Sequence, residues 1–103
     1  MTADTIIALL ARHAPEFREA GVTRLSIFGS TARGDENATS DVDVALHLTD
    51  DARQGGLAFI GRIERLRTRL QALIGARVDI VVEPVGALSL QAAIRADERI
   101  AFE

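Results

Sequence analysis

Asp41 and Asp43 stand at the head of an apolar run, and Asp79 stands inside another, "ARVDIVVE". Strands are depleted in aspartate, so three in two strand-like stretches need a reason. Residues i and i+2 of a strand share a face, which puts Asp41 and Asp43 side by side. If the two strands are neighbours in register, Asp79 joins them. Three uncompensated carboxylates in a half-buried cluster are costly, and a divalent cation resolves the conflict. Oxygen-only ligands suit Mg²⁺ or Mn²⁺, and magnesium completes its shell with water and substrate phosphates.

A second group lies just upstream. Gly29 ends an apolar stretch and Ser30 follows it. Glycine there permits close backbone approach and unusual dihedrals. Ser30 offers a hydroxyl where a short helix could start, and free N–H groups at such a start suit phosphate. Arg33 could add a charge-assisted contact. A phosphate cradle beside a carboxylate-held metal suits nucleotidyl transfer.

These groups need elements to position them. Helical spacing in "DTIIALLARHA" predicts a first helix, re-started at Pro15 and stopped at Gly21. "VTRLSIF" reads as the first strand. A short helix from Ser30 and a polar loop lead to the second, "DVDVALHL". There Val42, Val44, Leu46 and Leu48 share one face, and Asp41, Asp43, Ala45 and His47 the other. "DDARQGG" reads as a loop. "LAFIGRIERLRTRLQALIG" is the strongest helix, with Phe59, Ile63, Leu66, Leu70 and Leu73 in one stripe and Gly75 as its stop. The third strand, "ARVDIVVE", precedes a helix in "GALSLQAAIRA" and a short final strand in "ERIAFE". The order indicates an α/β or α+β domain. A helix between the second and third strands fits a parallel pairing. His13 reads as packed, His47 as structural, and Arg62, Arg65, Arg67 and Arg69 as a solvated helix face.

The sequence has 103 residues and 48% hydrophobic content, enough for one domain with a real core. It has no cysteine, which removes disulfides and thiolate-held zinc. The net charge of −3 argues against direct nucleic-acid binding, which usually goes with a basic surface. All twelve basic side chains are arginine. No stretch reaches the length of a membrane span, no signal peptide is expected, and a cytoplasmic location is.

Gly29-Ser30, ten residues, then Asp41-Val42-Asp43 has the form G-S-x10-D-x-D. With its surroundings, "FGSTARGDENATSDVDVAL" resembles the minimal nucleotidyltransferases (MNT) of the DNA polymerase β superfamily. Within them it is similar to the antitoxin of a HEPN/MNT toxin–antitoxin pair. The resemblance implies a single nucleotidyltransferase domain over residues 1–103. Its small mixed sheet would be flanked by helices, the first strand antiparallel to the second and the third beside it. It implies that Gly29 and Ser30 contact a nucleoside triphosphate, beside which the residue reading above places Arg33. Asp41 and Asp43 would bind two metal ions, with Asp79 the third carboxylate, which activates the attacking hydroxyl. The implied reaction is Mg²⁺-dependent transfer of AMP from ATP to a hydroxyl of a HEPN-domain toxin, a tyrosine in characterised members. The role would be that of a type VII antitoxin, with homo- or hetero-oligomers possible. Two other readings are a non-catalytic antitoxin that neutralises by binding alone, and a nucleotide-binding sensor.

Overall fold

The computed structural model describes residues 1–35 and 41–103. Residues 36–40 of the polar loop lie outside the described residues. The elements are α1 (Ala3–Arg12), α2 (Ala14–Glu19), β1 (Val22–Phe28), α3 (Gly29–Arg33), β2 (Val42–Leu48), α4 (Asp50–Arg53), α5 (Leu57–Ile74), β3 (Val78–Val82), α6 (Leu88–Asp97) and β4 (Arg99–Phe102).

The strands form one mixed sheet in the order β3-β2-β1-β4. β1 runs antiparallel to both β2 and β4, and β2 runs parallel to β3. The parallel pair needs a crossover, which α4 and α5 supply. Gly75 closes α5 in the left-handed conformation that favours glycine.

The main core lies on one face of the sheet. Val42, Val44, Leu46 and Leu48 of β2 meet Ile6 and Leu10 of α1, Phe17 of α2, and Leu66, Leu70 and Ile74 of α5. Phe59, Ile63 and Leu73 pack at the margin of this core, and Ile74 joins the predicted α5 stripe. The opposite face carries a much smaller cluster, Phe28, Ala45 and Ile94, beneath α6. Ile94 is the buried residue of α6, so apolar burial holds this helix down at few points.

Two local features differ from the pattern in the sequence, and the expected re-start at Pro15 is present. The "DDARQGG" segment contains a helical turn, α4, because the Thr49 hydroxyl accepts the Ala52 N–H at 3.2 Å and caps it. The first helix stops at Arg12, and α2 begins at Ala14 with Pro15 in its first turn. The register of β1 against β2 shifts between Val22 and Arg24. This irregularity lets Val22, Leu25 and Ile27 all reach the main core despite the mixed parity of their numbers.

Candidate active site

The acidic end of the α6-side face is built by strand register. Phe28, the last residue of β1, lies opposite Asp43 in the antiparallel ladder, and Asp43 lies beside Asp79 in the parallel one. Register partners in adjacent strands share a face, about 4.8 Å apart across the ladder. Asp41, two residues before Asp43, falls on the same face. Asp43 is half-buried and Asp79 exposed.

The electrostatics follow from that placement. Burial pushes the Asp43 carboxyl above its ordinary value, and the charges of Asp79 and Asp41 push it further, while Arg33 works against them. Asp43 therefore feels both other carboxylates. Among the described residues, no three His, Cys, Asp or Glu side chains are closed into a metal-holding group. The three aspartates share a face and a field, not one coordination cage.

Gly29 joins the site from the chain turn after β1. Its φ of +73° lies in the left-handed region, and a Cβ there would overlap the Asp43 carboxylate. Backbone conformation and contact with the acid both demand glycine. Ser30 follows, half-buried, in the five-residue helix α3, and its carbonyl accepts the Asp35 N–H at 2.9 Å. Arg33 closes α3. Its guanidinium donates to Asp97 of α6 at 2.7 Å and to Asp35 at 3.1 Å. It thus ties α3 to α6 while remaining within the field of Asp43.

Two charged residues here were not among the candidates. Arg77 Nε lies 3.9 Å from Asp41, and its side chain is 86% exposed. Its spacing of two from Asp79 was a legible signal, since it puts a cation on the same strand face. Asp97 holds Arg33 from a helix remote in sequence, and no local pattern announces it.

At the far end of the same face lies a buried polar network. Arg24 pairs with Glu98 at 2.8 Å and with Glu103 at 3.2 Å, and comes within 4.0 Å of Glu83. Glu83 is 1% exposed. Its Oε2 meets His47 Nε2 at 2.9 Å and accepts from Gln91 at 3.3 Å. His47 is thus a structural residue anchoring a buried acid.

The nucleotidyltransferase domain family profile matches residues 10–101. A protein adenylyltransferase, MntA, of Thermococcus cleftensis is 32% identical over 84 residues, covering 81% of this chain and 79% of that protein. The solved structure of a proposed minimal nucleotidyltransferase superposes with a TM-score of 0.68 at 29% identity, covering 96% of this chain and 95% of the other. The fold is also that of the MNT antitoxin bound to a tri-AMPylated HEPN toxin of Shewanella oneidensis. There the TM-score is 0.59 and the identity 16%, covering 90% of this chain and 70% of that one.

Proposed function

The chain belongs to the nucleotidyltransferase domain family, and from that we propose that it transfers AMP from ATP to a tyrosine hydroxyl of a HEPN-domain toxin and so acts as its antitoxin. The observation that carries this reading is the register of Asp43 beside Asp79, with Gly29 seated against the Asp43 carboxylate. The adenylyltransferase named among its relatives and the AMPylated toxin in the Shewanella complex support AMP as the group transferred and a HEPN toxin as the kind of protein that receives it. In this reading residues 1–103 act as one domain. The chain contains no tyrosine of its own, so the acceptor comes from the partner.

Each residue then has a task. Gly29 lets the triphosphate approach the turn, and Ser30 donates its hydroxyl to a phosphate oxygen. Arg33, held by Asp97, faces the same end with its charge. The acceptor oxygen attacks the α-phosphorus and forms a new P–O bond. The bond from that phosphorus to the oxygen bridging to the β-phosphate breaks, and pyrophosphate leaves with its electron pair. Asp79, exposed at the rim, takes the proton of the acceptor hydroxyl.

Asp41, Asp43 and Asp79 would hold the divalent ions. They offer oxygen donors only, and the raised Asp43 carboxyl marks a place where negative charge lacks a full counterweight. When bound, Mg²⁺ or Mn²⁺ would neutralise charge on the phosphates and on the departing pyrophosphate.

The test incubates the chain with α-labelled ATP, Mg²⁺ and the protein product of the gene next to its own. The wild type is expected to label that protein, and Asp41→Ala/Asp43→Ala to leave it unlabelled. Equal labelling, or none by either, overturns the reading.

A further inference from the structure

β3 lies at one edge of the sheet. We propose that an extended segment of the acceptor protein adds there as a fifth strand and so brings its hydroxyl residue beside Asp79. This rests on the transferase reading above and adds to it how the acceptor is held.

Ladder geometry decides which backbone groups are free. The Val42 N–H donates to the Arg77 carbonyl, and the Glu83 N–H donates to the Leu46 carbonyl. In a parallel pair, alternate residues of a strand turn both their N–H and C=O toward the neighbour. Arg77, Asp79, Val81 and Glu83 therefore bond toward β2. Val78, Ile80 and Val82 turn theirs outward, where β3 has no strand neighbour. The Gln71 side chain accepts the Val78 N–H at 3.1 Å. Beyond that cap, the outward groups of Ile80 and Val82 have no partner among the described residues.

The other edge of the sheet is managed differently. β4 is crossed by α1, and Arg99 on it is pinned to Asp4. β3 packs on α5, whose Gln71 caps the Val78 N–H, but has no strand neighbour beyond it in the sheet. Its one charge, Asp79, points to the site face, and its remaining residues are Val78, Ile80, Val81 and Val82. An edge strand that is apolar apart from one charge turned to the site face, with no proline within it, is a template for pairing.

The position of Asp79 selects the occupant. A residue paired across the edge from Asp79 would lie on the same face, about 5 Å away between Cα atoms. That is where a hydroxyl must be for Asp79 to take its proton. Two positions along, the same face of the added strand would meet Val81, and its other face would extend the surface of Ile80 and Val82. The acceptor segment is therefore an extended stretch in which a hydroxyl residue has an apolar residue two places away. A second copy of this chain fits less well. Two-fold pairing of β3 with itself would bring a second Asp79 onto a face already crowded with carboxylates.

Hydrogen exchange on the labelled chain, alone and with the protein product of the gene next to its own, tests the proposal. In the free chain the Ile80 and Val82 amides should exchange fast and the Val81 amide slowly. In the complex Ile80 and Val82 should become protected by tenfold or more. Ile80→Pro removes an outward N–H without touching the ladder to β2, which an edge strand tolerates. It should raise KM for the acceptor protein about tenfold, as expected for a lost backbone bond and a blocked neighbour, with KM for ATP unchanged. If Ile80→Pro fails to fold, the exchange measurement on wild type decides alone. Ile80 and Val82 amides that stay fast in a complex that transfers AMP overturn the docking proposal and leave the transferase reading standing. Protection without any transfer upholds docking and overturns that reading. Protection that appears in the chain alone as its concentration rises assigns the edge to self-association and overturns the proposal.

Discussion

Asp43 sits where burial and two like charges oppose its ionisation. Its folded pKa lies above its ordinary value of 3.8. The folded state therefore holds the proton more tightly than the unfolded one. Stability is fullest below the ordinary value and declines as pH rises through the raised one. At neutral pH the ionised residue is a net cost. Asp43→Asn should thus abolish AMP transfer while raising Tm by a few degrees at pH 7, a gain that disappears near pH 3. Parallel thermal melts at both pH values check the sign. Gly29→Ala should do the opposite to stability. Alanine at that φ costs about 1–2 kcal/mol, and its methyl would displace the Asp43 carboxylate, so urea melts should show the loss and labelled ATP a loss of transfer. At this scale the sequence was legible where spacing is local. Alternation alone put Asp41 and Asp43 on one face, and a glycine at a strand end announced a tight turn. Asp97 beneath Arg33 and Glu83 beneath His47 were invisible, because those pairs are made by chain segments that only the tertiary fold brings together.

Among the three longer helices, α1, α5 and α6, α6 is the one held least by apolar burial. Ile94 anchors its middle, and polar contacts pin its C-terminal end. Asp97 meets Arg33, and Glu98 meets both Arg24 and the Ser26 hydroxyl. Burial alone would raise the Glu98 pKa, but its bonds to Arg24 and Ser26 outweigh that and hold it below the ordinary carboxylate value. The sign is therefore the reverse of Asp43. The stabilisation is present above the ordinary value of 4.5 and is lost as pH falls through the lowered one. Glu98→Gln should cost about 1–3 kcal/mol at neutral pH and little in acid, read from Tm against pH. Strands and the long helix α5 were legible in the sequence because periods of 2 and 3.6 are strong there. The α4 turn was not, since one threonine cap decided it. Neither was the irregularity in β1, which breaks the period that would reveal it.

At the scale of the whole molecule, the proposed catalysis and the proposed docking use different parts. The carboxylates lie at one end of one sheet face, whereas the β3 edge offers backbone. Asp41→Ala/Asp43→Ala should therefore still co-purify with the HEPN-domain protein while transferring no AMP. In cells that variant should lose protection against the toxin; full protection would mean that covering the toxin suffices. The strand order has one further consequence. β1, α3 and β2 are contiguous in the chain, but the parallel partner of β2 arrives only after α4 and α5 have been made and folded across. Non-local parallel pairing is the slow part of assembling such a sheet. A ribosome-bound chain emerging through β2 would already possess Gly29, Ser30, Asp41 and Asp43, yet could not place Asp79 beside them. Competence would then arrive in a single late step, when β3 docks on β2.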